Sequence, residues 1–107
     1  MSSSKYEEFF TVEADHPSLP GHFPGDPILP GVVVLDRVLD IADRWLGPGI
    51  QVIGLPHAKF ALALRPGTEA RVRMEYRPPM LEFEVSFRLE VAVSGAFEVR
   101  VPVVANR

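Results

Sequence analysis

The residues from His16 to Gly31 carry an unusual density of prolines and glycines, and this density constrains the fold more than any other feature. Proline fixes φ and has no amide hydrogen, so neither a helix nor a central strand can run through such a stretch. The residues concerned are Pro17, Pro20, Pro24, Pro27, Pro30, Gly21, Gly25 and Gly31. We therefore expect a long, conformationally fixed loop, and loops of this kind in small domains are often functional.

The segment after this loop has the pattern of one amphipathic helix. Val32 to Leu46 contains no Gly or Pro and ends at Gly47-Pro48, which is a common helix stop. Its polar residues fall within about 120° of the helical wheel, and apolar residues fill the other side. The polar arc consists of Asp36, Arg37, Asp40, Asp43 and Arg44.

From about residue 50 the hydrophobic period changes from that of a helix to that of a strand. Apolar and polar residues alternate from Ala70 to Arg77 and again from Leu81 to Val91, with a turn at Arg77-Pro78-Pro79-Met80 between them. Further strands are predicted at Lys5–Val12, at Val52–Leu64, and from Phe97 to Val103, where Pro102 fits an edge or a strand end. The order of strand, loop, helix and four strands predicts an α+β domain, with an antiparallel sheet packed around one helix.

Length and charge narrow the possible functions. The chain has 107 residues, so residues 1–107 are expected to form a single domain, and small domains often complete their core by oligomerising. A net charge of -3 argues against nucleic acid as a partner, and the absence of cysteine excludes thiol catalysis and cysteine-ligated metals. Apolar runs too short to span a bilayer, and an N-terminus without an apolar leader, argue against a membrane and favour a cytoplasmic location.

Three groups with catalytic potential lie within sixteen residues. His22 stands in the loop, and histidine is the side chain that titrates near neutral pH without assistance. Asp36 could complete an acid and base pair with it. The helix begins at about Gly31, where free backbone N–H groups can polarise a carbonyl oxygen.

Each of these residues also has a simpler interpretation. A single loop histidine is more often a surface residue than a catalyst, and Asp36 shares a polar arc that is typical of a solvated helix face. His16 and His57 are taken as structural or exposed. The arginines of the strand at Ala70–Arg77 could attract an acidic carrier protein, or could form cross-strand pairs with the glutamates opposite. These side chains are Arg71, Arg73, Arg77, Glu82 and Glu84.

Two motifs give the chain a specific resemblance. Residues 21–32, GHFPGDPILPGV, resemble the H-F-P-G-x-P-(hydrophobic)2-P-G-V motif of the (3R)-hydroxyacyl-ACP dehydratases, which have the hot-dog fold. In that family the catalytic carboxylate follows the motif histidine by fourteen positions, which is the spacing from His22 to Asp36. Downstream, Lys59-Phe60 followed by Pro66-Gly67 is similar to the family's K-F-x5-P-G strand and turn.

The resemblance implies a role for each matching residue. It implies that His22 removes the C2 proton and that Asp36 helps to expel the C3 hydroxyl as water. The Gly31 N–H would hold the thioester carbonyl, and the Ile28 carbonyl would accept a hydrogen bond from His22 and fix its tautomer. Asp40 stands where the fatty acid synthesis enzymes have Gln, and it would line the substrate tunnel.

The resemblance also implies how the protein works as a whole. Acyl carrier protein would deliver the substrate on phosphopantetheine, and no metal or organic cofactor would be needed. His22 and Asp36 would come from different subunits of a homodimer. The phrase LPGVVVLD at residues 29–36 looks like the thioester dehydrase branch of specialised pathways such as aryl polyene synthesis.

Two other functions are compatible with such a chain. A hot-dog thioesterase would use a helix carboxylate to activate water, although the motif histidine argues against it. A non-catalytic acyl-binding or assembly module would keep the fold and tolerate the loss of His22.

Overall fold

The computed structural model describes residues 4–13 and 29–102, and these form one helix and five strands. The elements in chain order are β1 (Ser4–Thr11), α1 (Gly31–Leu46), β2 (Gln51–Phe60), β3 (Glu69–Arg77), β4 (Met80–Phe87) and β5 (Glu90–Arg100). Residues 16–28 of the predicted loop lie outside the described part of the chain. Within the described part, no helix is long and apolar enough to cross a membrane.

The strands form one antiparallel sheet in the order β1-β3-β4-β5-β2. The hairpins β3-β4 and β4-β5 join neighbours directly, and the predicted turn at Pro78-Pro79 is present in the first of them. Strand β2 follows the helix and pairs with β5, the last strand, which puts β2 at one edge of the sheet.

The core lies between α1 and one face of the sheet. Val38 and Ile41 of the helix are fully buried, as are Val72, Leu81 and Val85 of the central strands, because the apolar stripe of the helix meets the inward residues of the alternating strands. Burying one such side chain stabilises the fold by about 1.5–3 kcal/mol. The prediction of an antiparallel α+β architecture with one helix is confirmed.

The strand boundaries differ from the prediction at three places. The last strand, predicted from Phe97 to Val103, is β5 and runs from Glu90 to Arg100. The stretch Leu81–Val91 is not one strand, because a turn at Arg88 and Leu89 separates β4 from β5. The apolar and polar alternation continues through this turn, and Leu89 is 96% exposed, so the pattern gave no sign of a break. Arg88 adopts a positive φ of 58°. Turns with positive φ usually contain Gly, Asn or Asp, and because none of these stands here, the sequence did not predict a turn. Likewise, β2 ends at Phe60 and does not reach Leu64.

Arginines of the helix attach α1 to β1. Arg44 donates to both carboxylate oxygens of Glu8, at 3.4 and 3.0 Å, and Tyr6 donates its hydroxyl to the same carboxylate at 2.9 Å. Trp45 stacks on Tyr6 with ring centroids 5.3 Å apart. Arg37 donates to the Thr11 carbonyl at 3.3 Å. These contacts fix how the helix is rotated about its axis relative to the sheet.

The Arg44 contact predicts a pH-dependent contribution to stability. The Arg44 hydrogen bond lowers the pKa of Glu8, so the carboxylate stabilises the folded state at neutral pH, and this contribution is lost as the pH falls through the lowered pKa. Glu8→Gln should therefore lower the free energy of unfolding at pH 7, and its difference from wild type should shrink in acid. Urea unfolding across this pH range measures both. Glu90→Gln, beside the β4-β5 turn, is the control for losing one carboxylate, and an equal effect there would contradict a specific role for Glu8.

Candidate functional site

The N-terminus of α1 is the first part of the candidate site. Pro30 precedes the helix with φ −59° and ψ 143°, and its carbonyl accepts from the Val33 N–H at 3.0 Å and the Val34 N–H at 3.4 Å. Among the described residues no side chain caps this end, and the first turn carries no acidic residue. The N–H of Gly31, as the first helical residue, has no partner inside the helix. The positive end of the helix dipole is thus not compensated by a side chain of the first turn.

An apolar groove adjoins this helix end. Its volume is about 430 Å³, and it lies between the start of α1 and the segment that follows β2. The lining residues are Leu29, Gly31, Val34, Phe60, Ala61, Leu62, Ala63, Leu64 and Val93. The groove could hold a short apolar group whose polar end lies at the helix N-terminus.

Backbone hydrogen bonds fix the two walls of the groove to each other. The Leu29 N–H donates to the Leu64 carbonyl at 2.7 Å, which ties the entry of the helix to the segment after β2. The Ala61 N–H donates to the Ala92 carbonyl at 2.7 Å, which ties that segment to β5. The turn that follows contains Gly67 with a φ of +81°, a conformation that favours glycine, and this confirms the predicted Pro66-Gly67 turn.

Gly31 is the point where the two walls come closest. A Cβ atom placed on Gly31 would lie 2.7 Å from Cε1 and 3.0 Å from Cζ of Phe60, well inside van der Waals contact. The Phe60 ring therefore lies against the backbone of the first helical residue, and a side chain at position 31 would displace it.

The polar arc of α1 divides into residues with structural partners and residues without them. Arg37 and Arg44 contact β1 as described above, and Arg37 also lies over the Phe10 ring at 5.9 Å. Asp43 accepts from the Gly49 and Ile50 N–H groups at 2.7 and 3.0 Å, which closes the turn after the helix. These three residues therefore already have contacts within the fold.

Asp36 and Asp40 differ from the rest of the arc. Both are exposed, and Asp36 makes no hydrogen bond or ion pair within residues 4–13 and 29–102. On the helical wheel Asp36 lies beside Val32, which is 71% exposed, and near the half-buried Leu39. A carboxylate next to an exposed apolar strip suits a surface that another molecule covers better than it suits a fully solvated face.

The structure thus places some of the predicted site residues and leaves others untested. Gly31 lines the groove, and Asp36 and Asp40 lie on the same helix, about one and a half and two and a half turns further on. His22 and Ile28 lie outside the described residues, so their roles stay predictions. His57 is exposed on β2, opposite Ala96 of β5.

Two of the three strand arginines form ion pairs within the sheet, and the third stands opposite a glutamate. Arg71 lies 3.1 Å from a carboxylate oxygen of Glu7, and Arg77 lies 2.8 Å from one of Glu82. Arg73 is directly opposite Glu84 in the β3-β4 pairing. Of the two interpretations of these arginines, the structure favours cross-strand pairing over attraction of a carrier protein.

Sequence reasoning gave no functional role to the segment 60–64, although it forms one wall of the groove. The prediction of a single strand to Leu64 hid the change of direction after Phe60. The two dipeptides Lys59-Phe60 and Pro66-Gly67 mark the end of β2 and the following turn. They do not predict the conformation of the residues between them.

Solved structures of other proteins share this fold. An uncharacterised protein from Erwinia carotovora subsp. atroseptica superposes with a TM-score of 0.81 at 28% identity, covering 92% of this chain and 85% of that one. A chain of the dehydratase heterocomplex ApeI:P from Xenorhabdus doucetiae gives a TM-score of 0.79 at 23% identity, covering 92% and 94%. The fluoroacetyl-CoA-specific thioesterase FlK gives 0.68 at 15% identity, covering 91% and 84%. The fold is the hot-dog fold, as predicted.

Sequence comparison narrows this fold to one family. Residues 2–96 match the family model described as ApeI-like, ApeI dehydratase, and the chain belongs to this dehydratase family. The 3-hydroxyacyl-[acyl-carrier-protein] dehydratase FabZ of Desulforamulus reducens is 31% identical over 71 residues, which are 60% of this chain and 50% of that protein. The FabZ of Chlamydia trachomatis serovar L2 is 31% identical over 74 residues, covering 61% and 48%. The matched region spans about half the length of these relatives.

The contact between Gly31 and Phe60 can be tested by a double-mutant cycle. Gly31→Ala should lower the free energy of unfolding by about 1 kcal/mol because the new methyl group displaces the Phe60 ring. Phe60→Ala should abolish most of that loss, giving a coupling energy of about 0.5–1 kcal/mol. Chemical denaturation of the wild type, the two single variants and the double variant measures the coupling. Strictly additive effects would contradict the contact.

Proposed function

We propose that this protein dehydrates (3R)-3-hydroxyacyl thioesters on acyl carrier protein to trans-2-enoyl thioesters. The observation that carries the proposal is the N-terminus of α1 at Gly31, which has no side-chain cap among the described residues and opens on an apolar groove in a member of a dehydratase family. A thioester carbonyl at the helix end and an acyl chain in the groove would satisfy both features at once.

The proposed reaction is an elimination of water in which each residue has one task. His22 takes the proton from C2, and the electron pair moves toward the thioester carbonyl, whose oxygen becomes more negative. The Gly31 N–H donates to that oxygen and is aided by the helix dipole. The C2–C3 double bond then forms as the C3–O bond breaks, and Asp36 gives its proton to the departing hydroxyl, which leaves as water. The Ile28 carbonyl would hold the tautomer of His22.

The position of Asp36 supports its assignment over that of its neighbours on the helix. Arg37, Asp43 and Arg44 are engaged in contacts that stabilise the fold, whereas Asp36 is exposed and has no such contact among the described residues. Asp40, one turn further on, would line the tunnel and contact the substrate. The resemblance to thioester dehydrases favours a specialised pathway, such as aryl polyene synthesis, over bulk fatty acid synthesis.

A second copy of the chain is the proposed partner that completes the site. Strand β2 is an edge strand that exposes Val52, Ile53 and Leu55, and edge strands of this kind invite pairing with another strand. The exposed apolar strip of α1 beside Asp36 would be covered by the same contact. In such a homodimer, His22 of one subunit would face Asp36 of the other. The similar structure from Xenorhabdus doucetiae is a dehydratase heterocomplex. If this protein stays monomeric when purified alone, its second subunit would be a different protein and not a second copy of itself.

Single substitutions test the assignment of roles. His22→Ala and Asp36→Asn should each lower kcat by about 10²- to 10⁴-fold because each removes one proton-transfer group. Asp40→Asn is the matched control on the same helix and should alter substrate preference more than kcat. The assay is mass spectrometry of 3-hydroxyacyl carrier substrates, which separates loss of water from loss of the acyl group. Hydrolysis in place of dehydration would favour a thioesterase, and normal dehydration by folded His22→Ala would overturn the proposal.

Subunit complementation tests the shared site. A dimer of one His22→Ala chain and one Asp36→Asn chain would contain one doubly damaged site and one intact site. Random pairing makes about half of the dimers mixed, so co-refolded protein should recover roughly a quarter of wild-type activity. Each variant refolded alone is the control. If both residues came from the same chain, the mixed dimers would contain no intact site and the mixture would stay inactive.

A further inference from the structure

We propose that Phe60 determines which acyl groups this protein accepts, by narrowing the groove beside Gly31. Two observations concern the Phe60 side chain. Phe60 is one of the residues that line the groove, and its ring lies against the backbone of Gly31. The inference takes its ligand, an acyl thioester, from the proposed function, but the ring's position does not depend on that function.

The backbone pairing determines where the ring points. Phe60 is paired with Val93 across the β2-β5 ladder, and Val93 is buried and lines the same groove. Because paired residues in antiparallel strands project to the same face, the Phe60 ring is directed toward the helix side of the sheet. Lys59 pairs with Ser94 and projects to the opposite face.

The remaining wall residues explain why one ring can control the width. Ala61 and Ala63 are small, and Leu64 is buried and tied to Leu29 through its carbonyl. Phe60 is the largest side chain of the lining, and it is 54% exposed because it stands on the edge strand. An acyl chain anchored at Gly31 would have to pass beside this ring directly after its thioester carbon.

The expected consequence is selection by the width of the acyl group near the thioester. A straight chain would fit between the ring and Val34, whereas a group that is wide at its third carbon would collide with the ring. Truncation of Phe60 to alanine would open this part of the groove to wide groups and remove contact surface from straight ones. The far end of the acyl group would not be affected.

Binding of unreactive ligands tests this inference independently of catalysis. The probes are amide analogues of octanoyl and cyclohexylacetyl phosphopantetheine, whose acyl groups have the same number of carbons, differ in width and carry no 3-hydroxyl group to eliminate. Isothermal titration calorimetry should give tighter binding of the octanoyl analogue to the wild type. In Phe60→Ala the ratio of the two Kd values should shift toward the wide analogue by at least about tenfold, or ~1.4 kcal/mol. Phe60→Leu should give an intermediate ratio.

Phe9→Ala is the matched control. Phe9 is 56% exposed, almost the same as Phe60, but it lies on β1 at the opposite edge of the sheet and does not line the groove. Its substitution should leave the ratio unchanged. An unchanged ratio in folded Phe60→Ala, an equal shift in Phe9→Ala, or no binding of either analogue to the wild type would overturn the inference. If the ratio shifts as expected but the wild type dehydrates no 3-hydroxyacyl substrate, the proposed reaction fails while the role of Phe60 stands.

Discussion

The burial of one face of α1 against the sheet is the interaction on which the rest of the structure depends. Val38 and Ile41 are completely withdrawn from solvent against inward residues of the central strands, such as Val72 and Leu81. The contacts of Arg37 and Arg44 with β1 then fix the rotation of the helix about its own axis. With the position and rotation of α1 fixed, its N-terminus lies at the groove. Asp36 lies on the side of the helix that faces away from the sheet and is exposed.

The different roles of the charged residues on α1 follow from this arrangement. A helix that packs by one face must place its charged residues on the other, and some of these charges find partners within the fold. Arg44 binds Glu8, and Asp43 closes the turn after the helix. Asp36 has no such contact within the described part of the chain, which is why it is the helix carboxylate that we assign to the proposed chemistry. Asp36 and Asp43 are seven residues apart and lie on the same face of the helix. They differ because Asp43 accepts hydrogen bonds from the Gly49 and Ile50 N–H groups.

The edge position of β2 connects fold and proposed assembly. Strand β2 pairs on one side with β5, and no other strand of the described residues pairs with its other side. Exposed apolar residues on this strand, such as Val52 and Ile53, would lose contact with water if another strand paired there. Phe60, the last residue of β2, lines the groove together with Gly31, so a strand paired along β2 would reach the side of the groove.

The sequence by itself determined the order and type of the elements and the family. The helix was predicted from about Gly31 to Leu46, as observed, and the turns at Pro78-Pro79 and Pro66-Gly67 were predicted because proline and glycine act locally. Local patterns failed at Arg88 and Leu89, where alternation runs through a turn, and at Phe60, where a strand ends within an apolar run. His22 and Ile28 lie outside the described residues, so that part of the site rests on the motif. Only the tertiary structure decided that Phe60 lies on Gly31 and that Arg44 pairs with Glu8, because such contacts join residues far apart in the chain and no local period encodes them.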